Sequence, residues 1–160
     1  MGVEEVKLFL QHKKFPGRIV EHEQSIATVE KAAATLGVEE KLIAKTLTFN
    51  LKDRCLIVVT RGDARIDNHK FKSTFNKKAR MVRPDEVEEI TGHPVGGVCP
   101  FGLKQPIDVY LDVSLKEFEF IFPAAGAANA SIKITPAELI QITDGLWVDV
   151  CQDVLREPSP

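Results

Sequence analysis

The chain has 160 residues, 44% of them hydrophobic and 28% charged, enough for one globular domain with a buried core. Its formal net charge of −2 excludes a uniformly basic nucleic-acid binder. Three widely spaced cysteines (Cys55, Cys99, Cys151) with no C-x-x-C pair exclude a disulfide framework and a zinc cluster, so no metal or cofactor is expected.

Residues 1–12 lack the apolar core of a signal peptide and suit a short amphipathic helix over 3–12. No apolar run is long enough to span a bilayer, so the chain reads as cytoplasmic with no membrane partner. A brief strand at 18–21 follows Phe15-Pro16-Gly17, then an alanine-rich helix at 28–36 that Gly37 stops. Another short helix is expected at 38–44, then paired strands at 45–50 and 55–60. Residues 67–75 read as a helix, 80–82 as a short strand, and 84–91 as a helix with Pro84 in its first turn. Strands are expected at 109–112, 118–122, 131–134 and 147–150, with a helix at 136–142. Strict strand–helix alternation is missing, which predicts an α+β domain over 1–156: a curved, barrel-like mixed sheet with helices around it. Residues 157–160 read as a loose tail.

Three segments stand out. Residues 92–102 hold four glycines and two prolines, a composition that excludes helix and central strand. The apolar Val95, Val98 and Phe101 predict that this loop is packed, and its glycines expose bare N–H groups. Lys45 begins a strand in which it shares a face with Leu47 and Phe49, with Thr46 and Thr48 on the other. A lysine on an apolar face either snorkels to water from the strand end or meets a polar ligand. The small-residue stretch 122–131, with Gly126 and Asn129, is a tight turn or room for a ligand.

Charge is uneven along the chain. Between Arg61 and Arg83 eight Lys/Arg face two acids, about +6, leaving about −8 elsewhere. This is either a solvated face or a phosphate-contacting patch. His22 and His69 read as structural, whereas His93 gains weight from its place in the loop. With Cys99 six residues on, it forms the one candidate nucleophilic pair. Trp147 reads as core.

Lys45-Thr46, the Gly-Gly-x-x-Pro core at 96–100 and the Ala-Gly turn before Thr135-Pro136-Ala137-Glu138-Leu139 together resemble the YbaK/prolyl-tRNA editing domain family of aminoacyl-tRNA deacylases. The resemblance runs from the His22 region to Val150 in order and spacing. It implies a hydrolase that removes a small wrong amino acid (Ala, Cys, Ser or Thr) from tRNA, with tRNA(Pro) the expected carrier and a prolyl-tRNA synthetase a possible partner. By the same resemblance Lys45, Gly96 and Gly97 carry the catalytic role. Thr46, His93, Val98, Cys99, Pro100, Gly126, Asn129 and Ser131 are expected to contact substrate, and from the basic stretch at 61–83 Arg65, Lys70, Lys72, Lys77 and Lys78 are expected to contact tRNA. The turn after Gly126 is uncharged where cysteinyl-specific members often carry charge. Two other readings are a tRNA-binding module without catalysis and a Cys99-dependent hydrolase.

Overall fold

Six of the seven residues of β3 (Cys55–Arg61) are buried, so this strand can only lie inside a sheet. The computed structural model describes residues 2–153. β2 (Ile43–Asn50) pairs antiparallel with β3 from Ala44↔Arg61 to Asn50↔Cys55, across a tight hairpin at 51–54. β4 (Asp108–Asp112) lies parallel on the far side of β3, and β7 (Leu146–Val148) parallel beyond it. The two-residue β5 (Phe122–Pro123) runs parallel to β2 at Ile43 and Ala44, giving the order β5-β2-β3-β4-β7.

β1 (Ile19–Glu21) and β6 (Ala130–Ile132) form a second, two-stranded sheet. Isolated bridges Ile121↔Ile134 and Ala124↔Ser131 tie it to the β5 region, so the whole surface curves without closing. The mixed α+β, barrel-like expectation is met in this form.

The main core lies against one face of the large sheet, beneath α1 (Gly2–His12) and α5 (Pro136–Thr143), and includes Val6, Ile57, Phe101, Leu111 and Leu139. On the other face Phe49, Leu56, Val58 and Val150 pack on Phe71 of α3 (Asn68–Phe75). Local signals set the helix ends. Thr28 caps α2 (Val29–Leu36), which Gly37 ends at φ 70°. Asp67 caps α3, and Pro84 opens α4 (Pro84–Thr91), which Gly92 ends at φ 82°.

Three expected elements change. The helix at 38–44 is a 3-10 turn (Glu40–Leu42), because Ile43 and Ala44 join the sheet between β3 and β5. The strand at 80–82 is a single bridge, Phe49↔Met81, at the end of β2. The strand at 118–122 shrinks to β5, preceded by a 3-10 turn (Val113–Glu117) that Asp112 caps. In the first case long-range pairing outweighed local pattern; in the other two the strand pattern found a partner over only one or two residues. The expected tail at 157–160 lies outside the described residues.

Candidate functional site

One side of β2 is covered only at its two ends. β5 pairs with Ile43 and Ala44 at one end. At the other, the Val82 N–H donates to the Thr48 carbonyl (2.9 Å) and the Asn50 N–H to the Arg80 carbonyl (2.8 Å). Between these covers the strand borders a cavity of about 280 Å³, into which Lys45, Thr46, Gly96 and Val98 all project surface. Apart from Thr28 its remaining wall is apolar, with Ile26, Val29, Val82, Val87 and Phe122 prominent. Two exposed apolar residues, Met81 (55%) and Val95 (60%), also line it. The segments expected to form a site from 45–46 and 96–98 therefore meet.

Lys45 is half-buried, and its Nζ donates to the carbonyl of Ala64, in the turn after β3. Burial pushes its pKa below the usual lysine value, against the opposing pull of nearby Cys151 and Asp63. The turn is itself fixed by Arg61, which is 5% exposed. Its guanidinium grips both carboxylate oxygens of Asp63 (2.5 and 2.9 Å), reaches Glu117 (3.3 Å) and lies over the Phe118 ring. Lys45 is thus neither snorkelling freely nor pointing at will: its ammonium is anchored beside the cavity. Thr46 presents a different case. Its Oγ1 is buried with no hydrogen-bond partner, in a residue that borders the cavity.

The glycine-rich loop divides the work between its glycines. Gly96 (φ 88°) lines the cavity, and a side chain there would meet the Ala27 methyl at 2.8 Å. Neither its N–H nor that of Val98 is taken by a backbone bond among the described residues. Gly97 differs from its expected role. Its N–H donates to Pro94 (2.9 Å), its carbonyl accepts from Gly126 (3.0 Å), and a Cβ would lie 2.6 Å from the Ala127 backbone. It clamps the loop to the alanine turn. Gly126 faces the α1 start, where a Cβ would meet Gly2 backbone at 2.5 Å. It packs the turn rather than lining the cavity, to which the turn contributes Ala124.

Asn129 and Ser131 act at one remove. The Asn129 side chain donates to the His22 carbonyl (3.0 Å), and Ser131 Oγ meets His22 Nε2 at 2.8 Å. The Ile26 N–H donates to Ala128 (2.6 Å). These bonds lay residues 22–28 along the turn and bring Ile26, Ala27 and Thr28 to the cavity, a strap with no signature in the sequence.

His93 and Cys99 are near each other and enclosed. Both are fully buried, outside the cavity, with Sγ 3.6 Å from Nε2. Nε2 also lies 2.6 Å from the Phe101 carbonyl, which can only accept, so Nε2 carries the proton and has no lone pair for the thiol. Burial lowers the His93 pKa and pushes the Cys99 thiol up to about 12. Pro100 is buried and borders a separate groove between α1 and α5. Of the cations expected to contact RNA, Lys70 is held by Asp149 (3.1 Å), Asp153 (3.0 Å) and the Cys151 carbonyl (2.9 Å). Arg65, Lys72, Lys77 and Lys78 are exposed.

Residues 23–142 match the family model described as an aminoacyl-tRNA editing domain. The chain is 52% identical over 137 residues to the uncharacterized protein YwhH of Bacillus subtilis (strain 168), covering 84% of this chain and 87% of that one. It is 30% identical over 125 residues to EbsC of Enterococcus faecalis (strain ATCC 700802 / V583), described as a candidate Cys-tRNA(Pro)/Cys-tRNA(Cys) deacylase, over 77% and 76% of the two chains. A crystal structure described as a candidate trans-editing enzyme for prolyl tRNA synthetase superposes with a TM-score of 0.87 at 29% identity, covering 95% of this chain and 98% of that one. The chain belongs to the aminoacyl-tRNA editing domain family.

Proposed function

We propose that this protein is a cytoplasmic trans-editing hydrolase that frees a small, wrongly attached amino acid from tRNA, with tRNA(Pro) as the carrier. The observation that carries this reading is the single cavity shared by Lys45, Thr46, Gly96 and Val98. A synthetase selecting by size gains only about 1–3 kcal/mol per methylene, so a second site that cleaves what fits inside it restores accuracy. The cavity wall is almost wholly apolar, with Thr28, Lys45 and Thr46 as its polar side chains. That favours alanine as the acyl group over serine or threonine, and the uncharged turn after Gly126 favours it over cysteine.

In this reading the acyl side chain enters the apolar cavity and the ester carbonyl faces the free N–H groups of Gly96 and Val98. Those two N–H groups stabilise the oxyanion as water attacks the carbonyl carbon. The bond from that carbon to the ribose oxygen then breaks. The ribose hydroxyl regains a proton, and the amino acid leaves as a carboxylate. Lys45, anchored beside the cavity, supplies positive charge near the developing negative one. No carboxylate, imidazole or thiol lines the cavity among the described residues. Water is therefore oriented by backbone, hydroxyl and substrate rather than by a titrating base.

The test offers the purified protein Ala-, Cys-, Ser- and Thr-tRNA(Pro) and measures loss of the aminoacyl group. Ala-tRNA(Pro) should be cleaved fastest, and Lys45→Ala should abolish turnover while sparing most tRNA binding. Turnover unchanged in that variant removes Lys45 from the reaction. Absence of turnover on all four substrates leaves the binding-module reading.

A further inference from the structure

The cations of residues 61–83 do not form one patch. Arg61 is spent on Asp63 and Glu117, Lys70 on Asp149 and Asp153, and Arg83 on Asp85 (3.4 Å) and Glu86 (3.0 Å). Folding instead gathers Lys77, Lys78 and Arg80 with Lys52, which comes from the β2–β3 hairpin. Together with Asn50 and Leu51 these four line a second cavity, of about 400 Å³. Lys52, Lys78 and Arg80 have no ion-pair partner among the described residues, and Lys77 has only Asp53 at 3.8 Å.

Backbone geometry builds this cluster. Lys52 sits at φ 74° in the hairpin, its N–H held by Asn50 Oδ1 at 3.0 Å. Asn76, at φ 61°, ends α3 with its N–H on the Lys72 carbonyl (2.7 Å) and turns the chain back. Arg80 is fixed through its carbonyl to the Asn50 N–H. Four cations around one hollow, of which only Lys77 has an ion-pair partner, raise the local positive potential and favour a polyanion there.

The place of the hollow is informative. Arg80 lines it, while the next two residues, Met81 and Val82, line the candidate editing cavity. Lys45 and Asn50 mark the same two hollows along β2, five residues or about 17 Å apart. Between them the exposed Met81 offers an apolar surface to a base.

We infer that Lys52, Lys77, Lys78 and Arg80 cradle backbone phosphates of the single-stranded RNA 3′ end whose terminal ester enters the neighbouring cavity. This rests on the editing reading for the direction of the strand. It replaces Arg65, Lys70 and Lys72 as the principal phosphate contacts.

The test uses a fluorescent single-stranded RNA ending in CCA, with anisotropy measured from 50 to 200 mM salt. Four phosphate contacts give a salt slope of about −2.8 for a single strand. Lys52→Gln with Arg80→Gln, or Lys77→Gln with Lys78→Gln, should each flatten that slope by about 1.4 and weaken binding on the order of tenfold. Lys133→Gln should change neither. Unchanged affinity and slope in both double variants, or no salt-dependent binding by the wild type, overturns the cradle. Wild-type hydrolysis of 2′(3′)-O-alanyl-adenosine, which has no phosphate, tests the cavity alone. If the wild type leaves it intact while the double variants lose RNA binding, the editing reading fails and the cradle stands.

Discussion

Thr46 gives a perturbation whose effects on stability and on activity have opposite signs. Its hydroxyl is buried and unpartnered, and a buried polar group left in that state costs about 1–3 kcal/mol. Thr46→Val keeps the β-branched shape, which suits a strand, and removes that cost. The free protein should therefore gain about 1 kcal/mol, a rise in Tm of about 2–4 °C for a chain of this length. If the hydroxyl waits for the substrate, the variant also loses a transition-state contact. A loss of about 1.4 kcal/mol there is a tenfold drop in kcat/KM. Thermal unfolding by circular dichroism and single-turnover deacylation of Ala-tRNA(Pro) read the two effects separately. Thr46→Ser, which keeps the hydroxyl, should retain more activity than Thr46→Val. A lower Tm in Thr46→Val, or an unaltered kcat/KM, would refute the argument that this group is reserved for a ligand.

Two further outcomes follow from the same geometry. Cys99→Ala should deacylate at a rate near the wild type, at a stability cost of about 1–2 kcal/mol for the buried volume lost; a loss of turnover in the folded variant would revive the thiol. Lys45 has a pKa below 10.5 because of burial, so its charge is lost earlier on the alkaline side than that of an ordinary lysine. After subtraction of spontaneous ester hydrolysis, turnover should fall as pH rises through that lowered value. The contribution of Lys45 to stability moves the other way: between the lowered value and the ordinary one the unfolded chain binds more protons at this group, so that contribution rises with pH. The Cys99 and Cys151 thiols, pushed up to about 12, pull stability down over the same range. The effect is therefore read as the stability of the wild type minus that of Lys45→Met in a denaturation series between pH 8 and 10.5, a difference that should grow with pH.

The main helices were legible because each carries its own boundary chemistry: Thr28 and Gly37 around α2, Asp67 before α3, Pro84 and Gly92 around α4. The meeting of Lys45-Thr46 with the glycine-rich loop was legible as a resemblance of motifs, and both segments line one cavity. The roles inside those motifs were less so. Gly97 and Gly126 looked like ligand-facing glycines, yet each is small because another backbone segment packs against it. His93 and Cys99 offered a nucleophilic pair only as an alternative to a structural role, and their burial and the Phe101 carbonyl against Nε2 favour the structural one.

The amino-acid order by itself determined the alternation of the strands, the helix caps, the packed glycine-rich loop and the family. Only the tertiary structure decided which cations stay unpaired, which hydroxyl lacks a partner, and how residues 22–28 close the cavity wall. The physical reason is range. A cap or a turn is written within four or five neighbouring residues, whereas pairing Arg61 with Glu117, or His22 with Ser131, needs the fold to bring distant segments within about 3 Å of each other.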